Sequence, residues 1–428
     1  MRASPNPTAG RILRVYVVLT LLSTFASSFI WGINTLFLLD AGLSITQAFA
    51  ANAFFTLGQV IFEVPTGVLA DTWGRRASYL LGAATLLAST LLYLWMWRSH
   101  GPFWGWGLSS VLLGLGFTFF SGATEAWLVD GLNATGYGGT LESAFAKGQI
   151  ATGAGMLTGT IAGGAIAQAT NLGVPYVLRA AILGVTFVVA FVFMKDVGFT
   201  PRKAASVADE LRSIVRTSVD RGLRNPPVRW VMLAGLFSSG VPIYGFYAMQ
   251  PYLLELYGRS NYAIAGLAAS LAAACQIVGA LVVPWARKVF RRRTSALLAG
   301  SLASAAALLT MGVTSSFWVV LAALVVWALV FAAAWPIRQA FVNELIPSAQ
   351  RATVLSADNM VGSLGGVAAQ PALGRVAQLW GYPTSYVAAA AVELLAWPLL
   401  LLARRERASS DPIPEVRAAV HPATTTRP

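Results

Sequence analysis

The strongest constraint on this chain is a succession of apolar runs, each about as long as a bilayer is thick. RVYVVLTLLSTFASSFIWGINTLFLL, Arg14–Leu39, and SFWVVLAALVVWALVFAAAW, Ser316–Trp335, both reach the roughly 20 residues a helix needs to cross the hydrocarbon core. In lipid such runs form helices, because each backbone N–H and C=O must be satisfied within its own segment. Breaks of Gly, Pro, Asn and charge separate twelve spans, at 14–39, 47–70, 77–97, 102–130, 144–170, 174–195, 229–256, 262–286, 294–314, 316–345, 353–378 and 383–403. Ten-residue segments of alternating hydropathy, the mark of a transmembrane barrel, do not occur in the sequence. The fold class expected is therefore an all-α integral membrane protein with twelve transmembrane helices. Only 11% of residues are charged, against about a quarter in soluble domains.

The net charge of +13 would suit nucleic acid, but its distribution points elsewhere. With the N-terminus inside, Arg98 and Arg259 alone among Lys and Arg fall in outer loops, and Arg179, Arg338 and Arg375 fall within spans. That bias predicts a multi-pass protein of the cell membrane with both termini cytoplasmic. The basic loops then face anionic inner-leaflet lipid, and no nucleic-acid partner is expected. Lone Cys275 and two histidines, His100 in a loop and His421 in the tail, supply neither a disulfide framework nor an intramembrane metal cluster. No cofactor is expected, and a monomer suffices.

The spans group into a six-helix bundle at 11–195 and another at 229–405, with a linker at 196–228 and a polar tail at 406–428 read as disordered. Within the linker, SVADELRSIVRTSVDRGLRNPP reads as an amphipathic helix, with Ser206 and Asp209 at capping-box spacing. Lying on the lipid surface is the expected role, and docking a partner the alternative. The bundles read as pseudo-repeats. One ungapped alignment sets Ser44 on Ser260, Ala70 on Ala286 and Arg75-Arg76 on Arg291-Arg292. At nearly the same offset, EAWLVD (from Glu125) lies on QAFVNE (from Gln339), and TGAGMLTGTIAGGAIAQ lies on GSLGGVAAQPALGRVAQ. Two parallel repeats place a binding site near the midplane between them.

GVLADTWGRRASYL, Gly67–Leu80, lies between the second and third spans. Gly67 is expected at a close helix contact, and Gly74 at the reversal before the third helix. Asp71 and Asp130 stand at the exits of the second and fourth spans, where Arg75 and Arg76 are expected to bridge both. The stretch resembles the Gly-x-Leu-Ala-Asp-x-x-Gly-Arg-Arg loop of the major facilitator superfamily, and the resemblance extends over about residues 11–405. It implies two six-helix bundles that rock about a central site and, for the loop, a latch in which Asp71 meets the start of the eleventh span near Arg351 and Thr353. An aspartate at a helix N-terminus is electrostatically favourable. The second copy has Arg287 for Asp71 and Phe290 for Gly74, so a one-sided latch favouring the outward-open state is expected.

Three charges lie deeper. Glu63 is eight residues before Asp71, roughly 12 Å into the membrane. It reads as a proton-coupling or cation-recognising acid, or as a structural acid bonding a carbonyl freed by Pro65. Glu125 and Arg338 lie at comparable depth, so a Glu63/Glu125/Arg338 cluster across the bundles is expected, with snorkelling to water as the alternative. Asn34, Gln59, Gln149, Gln250, Gln276 and Asn359 are polar residues within spans, suited to substrate contact or to interhelical bonds. Trp31, Trp127, Tyr244, Tyr247 and Trp335 offer aromatic walls for amphipathic or cationic compounds.

Drug–proton antiporters of the superfamily carry further motifs. Gly114 and Gly116 fit the fourth-span pattern, but Ser110 stands where its Arg would be. Gly155, Gly159, Gly163 and Gly164 fit the fifth-span pattern, with Thr160 in place of Pro, and suggest close packing against the other half. The sequence is thus similar to the twelve-helix efflux branch, and secondary active export of small amphipathic compounds is the leaning expectation. Proton coupling is left in question by the missing Arg and Pro. Uptake of a sugar or organic acid is the alternative, and a transporter-like sensor a weaker one. An enzyme is not expected, since the sequence holds no phosphate loop and no Ser/His/Asp set.

Overall fold

A computed structural model describes residues 8–201, 207–258 and 261–413. Among these residues all regular structure is helical, apart from one antiparallel bridge between Arg292 and Pro412. In the first half, α1 (Ala9–Trp31) and α2 (Asn34–Asp40) form the first span, α3 (Ile45–Trp73) the second and α4 (Arg75–Ser99) the third. The fourth is shared by α5 (Phe103–Phe120) and α6 (Ala123–Ala134), and α7 (Leu141–Ala169) and α8 (Gly173–Phe193) are the fifth and sixth. The linker carries α9 (Val207–Thr217) and a π-helical turn, Ser218–Leu223. The seventh span is α10 (Pro226–Ser238) with α11 (Gly240–Tyr257), followed by α12 (Tyr262–Val289), α13 (Arg293–Val313) and α14 (Phe317–Leu345).

The last two spans run together as α15 (Ser348–Leu394), of 47 residues, and α16 (Ala396–Arg405). A straight helix of that length would measure about 70 Å, over twice the roughly 30 Å hydrocarbon core. Gly381, at φ 83°, folds it back just before Pro383. Among the described residues eleven stretches are long and apolar enough to cross a membrane, the last running from Thr353 to Arg405. Divided at Gly381, they are the twelve expected spans.

Local chemistry explains the ends. Ser44 and Gln47 form a reciprocal capping box on α3, and Thr140 caps α7 by accepting from the Ser143 N–H at 3.2 Å. Gly74 breaks α3 from α4 at φ 104°, and a Cβ there would overlap the Asp196 carboxylate. No other residue type suits both demands.

Contacts recur between the halves as the sequence alignment pairs them. A Cβ on Gly155 would meet Leu21 O of the first span, and one on Gly365 would overlap Leu236 O of the seventh. Gly164 abuts Gly266 across the interface, while its counterpart Gly374 abuts Phe49. The acid following each half caps that half's third helix. Asp196 Oδ1 accepts from the Arg76 N–H at 2.9 Å, and Asp411 Oδ1 accepts from the Thr294 N–H at 2.9 Å. Arg293 also donates to both Glu344 oxygens at 2.6 Å. The second loop copy thus keeps an arginine–acid link like that of Arg75, although the side chain of Arg287 lies outside the described residues.

Two expectations need correction. The tail does not lose structure at 406. Ser410 and Asp411 are buried, Ser410 O accepts from Arg293 and its Oγ donates to Phe341 O. This polar stretch is held because it satisfies the exposed start of α13; residues 414–428 lie outside the described residues. Nor is α9 simply laid on lipid: it packs against α3 and α15, and Glu210 and Ile214 line the cleft between those spans. Ser206, its expected cap, lies outside the described residues.

Candidate functional site

We call the end of the bundle that carries Gly74, α9 and Asp411 the motif side, and the end that carries Gly42, Gly101 and Gly258 the far side. The halves are sealed at the far side by glutamines that reach across. Gln250 accepts from the Thr35 N–H at 2.9 Å and donates to Trp31 O at 2.7 Å. Gln378 accepts from the Thr46 N–H at 3.0 Å, and Gln168 from the Tyr262 N–H at 2.7 Å. Gln370 donates to Thr56 Oγ1 at 3.2 Å. Small residues let the backbones meet: a Cβ on Gly32 would lie 3.0 Å from the Gly266 Cα. At the motif side the halves part instead around an open cleft of about 380 Å³, lined by Glu63, Asp71 and Arg75 on one wall and by Ser356 on the other. The molecule is therefore open at the motif side and shut at the far side.

Gly67 lines this cleft, and a Cβ on it would meet nothing within 4 Å. The expected close helix contact at Gly67 is absent because the spans it would join have parted. Intimate packing falls on Gly58 and Gly114, whose added Cβ atoms would overlap Val111 O and Phe55 O. The fifth-span glycines Gly155, Gly159 and Gly163 lie on the first span of their own half. Only Gly164 of that set approaches the other half, so the expected inter-half role belongs to one position.

In the loop, Arg75 Nη1 lies 2.5 Å from Asp71 and Arg75 Nε 3.9 Å from Asp130, so one arginine joins the exits of the second and fourth spans. Arg76 does not share that role. Its guanidinium donates to Phe191 O at 2.7 Å and covers the Phe191 ring, while its N–H serves Asp196. Partial burial raises the Asp196 carboxyl pKa, against the pull of the Arg76 N–H and charge. Arg351, the residue expected near the latch, donates to Asn343 O and Ile346 O at 3.1 and 3.4 Å.

Above the loop, a cavity of about 530 Å³ opens within the first half. Glu63 and Glu125 both line it, with Gln59 and Gln149, and among the described residues none that lines it is Lys or Arg. The fourth span breaks beside it, where Gly122 takes φ 67°, and Ser121 Oγ at that break donates to Glu63 Oε1 at 2.7 Å. Glu63 is half-buried and Glu125 exposed. Two of the three expected deep charges are thus brought to one chamber.

Arg338 is not. Its guanidinium grips Asp358 at 2.5 and 2.6 Å, with both residues buried. The expected three-charge cluster fails because Arg338 has a nearer acid on the eleventh span, which depth counting from the other charges passed over. Asp358 was legible as an acid in SADNM, five residues into a span. On the facing wall, Tyr247, Phe246, Phe331 and Gln276 line an apolar recess of about 260 Å³. Trp335 borders a separate cavity with Arg338.

Other expected cavity residues are structural. Trp127 is buried and donates to Lys195 O. Asn34 joins Asn52 and Tyr176 at 2.8 Å each, and Trp31 accepts from Gln250 in the far-side seal. Tyr244 is fully buried with its hydroxyl on Ser385. Asn359 is exposed beside Asp358. Buried polar groups are satisfied by one another when two helices meet, which is why polar type alone did not mark the chamber.

The sequence profile of the Major Facilitator Superfamily matches residues 16–287 and, a second time, 260–427. The fold is similar to that of a peptide transporter POT solved with sulfate, at TM-score 0.75 and 14% identity over 96% of this chain and 97% of that one. It is similar to the nucleoside transporter NupG at TM-score 0.73 and 12% identity, over 92% and 99%. A D-xylose–proton symporter matches at TM-score 0.67 and 16% identity, over 92% and 97%. At such identities the likeness is one of fold. No curated protein matches the chain.

Proposed function

Since the chain belongs to the Major Facilitator Superfamily, and is thus a membrane transporter rather than an enzyme, we propose that it exports small amphipathic cations by alternating access, in exchange for protons. The observation that carries this reading is the chamber holding Glu63 and Glu125 with no basic residue among the described residues of its lining. An intramembrane carboxylate without a cationic neighbour is costly, and either a proton or a positively charged solute relieves it. The opposite recess, lined by Tyr247, Phe246, Phe331 and Trp327, suits an aromatic or aliphatic body and cation–π attraction. A solute with one charged and one greasy end fits both walls. A carboxylate substrate would need a free cation beside the cleft, and Arg338 is committed to Asp358; Arg179 is buried among Tyr93, Tyr176 and Leu113 away from it.

In this reading the motif side is cytoplasmic, and the protein resides in the cell membrane as a monomer in contact with lipid. The Arg75 link between Asp71 and Asp130 then steadies the loop as the cleft closes. The test is accumulation of ethidium and a panel of uncharged and anionic dyes in cells with and without the protein. Lower accumulation confined to the cations is expected; equal accumulation of ethidium refutes the reading, and raised accumulation of a solute points to uptake.

A further inference from the structure

A second carboxyl, absent from the chamber just described, sits inside the second half. Glu393 of the twelfth span is 3% exposed, and its Oε2 has no hydrogen-bond partner. It lines a cavity of about 60 Å³ that shares no residue with the Glu63 chamber. Ser301 Oγ, on the same cavity, is also buried without a partner. Among the described residues Arg338 is the only other charged one lining it, and both of its terminal nitrogens are held by Asp358, so it does not neutralise Glu393.

The cavity lies between two lapses in the helical ladder. Ser239 separates α10 from α11 three residues before Pro242, and Leu395 separates α15 from α16 three residues before Pro398. Each proline lacks an N–H and so frees the carbonyl four residues back, at Ser238 and Leu394. Ser238 and Ser239 line the cavity opposite Glu393. Transporter sites are commonly built where helices are interrupted in this way. The rest of the lining is mostly apolar, and Trp335, 40% exposed, stands at its edge with Phe331.

A lone carboxylate in such surroundings calls for a proton or a compensating cation, and the aromatic edge suits an organic cation. We propose that this cavity is a ligand site in which Glu393 anchors the ammonium group of a lipophilic organic cation while Trp335 and Phe331 hold its aromatic body. The proposal extends the cation reading of the transporter to a second place in the molecule, and it can fail separately. Because Phe331 and Ser239 also border the Tyr247 recess, the site adjoins the wall that faces the cleft.

The test uses the full chain in lipid nanodiscs and radiolabelled benzyltrimethylammonium, a compact aromatic cation that cannot lose a proton. Saturable binding is expected in the Glu63→Gln/Glu125→Gln background, where the first chamber is disabled, and adding Glu393→Gln should weaken it by about thirtyfold or more. A second measurement needs no variant: dicyclohexylcarbodiimide should label Glu393 in the wild-type protein, and saturating benzyltrimethylammonium should block the adduct. An affinity unchanged when Glu393→Gln is added to that background, an adduct indifferent to the cation, or no saturable binding at all overturns the site. Binding lost only in the Glu63/Glu125 double variant overturns it while leaving the export reading intact. Binding through Glu393 without cation export in cells does the reverse.

Discussion

Asp358→Ala should destabilise the protein more than any substitution in the exposed loop network. Asp358 is 1% exposed and Arg338 8%, and two short hydrogen bonds join them across the tenth and eleventh spans. Removing the acid leaves a buried guanidinium with Val231 O, at 3.3 Å, as its remaining partner. Breaking a buried pair from one side costs about 3–5 kcal/mol, because a charge is stranded. At about 2 °C per kcal/mol for a large chain, Tm should fall by about 6–10 °C in detergent. Replacing both residues, as Arg338→Leu/Asp358→Leu, should recover most of the loss, since neither desolvated charge then remains. Thermal unfolding followed by tryptophan fluorescence reads all three proteins. An unchanged Tm in Asp358→Ala, or a double variant less stable than Asp358→Ala, refutes the stranded-charge reasoning.

Gly74→Ala should lower both stability and transport, because φ 104° and the adjoining Asp196 carboxylate together cost about 1–3 kcal/mol; full activity at wild-type Tm contradicts this. Truncation after Arg405 should cost about 1–2 kcal/mol through loss of the Asp411 cap and the Ser410 bonds, and a Tm equal to wild type shows that segment to be dispensable. Asp71→Asn should slow transport with little effect on Tm, since its pair with Arg75 is half-exposed and such pairs contribute about 1 kcal/mol or less; wild-type flux in that variant ends the gating role.

The fold was legible because bilayer thickness dictates span length and lipid leaves the backbone no alternative to helix. The repeat was legible for a related reason: Gly155 and Gly365, or Asp130 and Glu344, occupy equivalent places only because backbones approach, or charges meet, at equivalent points. The site was legible in part. Glu63 and Glu125 stood out as acids at depth, and depth follows from counting residues. Which charges meet does not follow from depth, because rotation about each helix axis decides it, and so Arg338 was assigned to the wrong acids. The same limit hid Glu393, which lies in VELLAW with no charged neighbour to draw attention, and it hid Gln168, Gln370 and Gln378 among many polar residues, whereas Gln250 stood out and makes one of the interhelical bonds expected of it. Gly67 misled for another reason: it faces the open cleft, where an added Cβ would meet nothing within 4 Å.

The most direct test reconstitutes the purified protein in liposomes, motif side outward, and follows ethidium entry as an imposed pH gradient drives protons out. The account predicts uphill, gradient-dependent ethidium uptake in the wild-type protein and only downhill movement in Glu63→Gln/Glu125→Gln. Uphill uptake that persists in that double variant, or wild-type flux indifferent to the gradient, contradicts proton-for-cation exchange at this chamber.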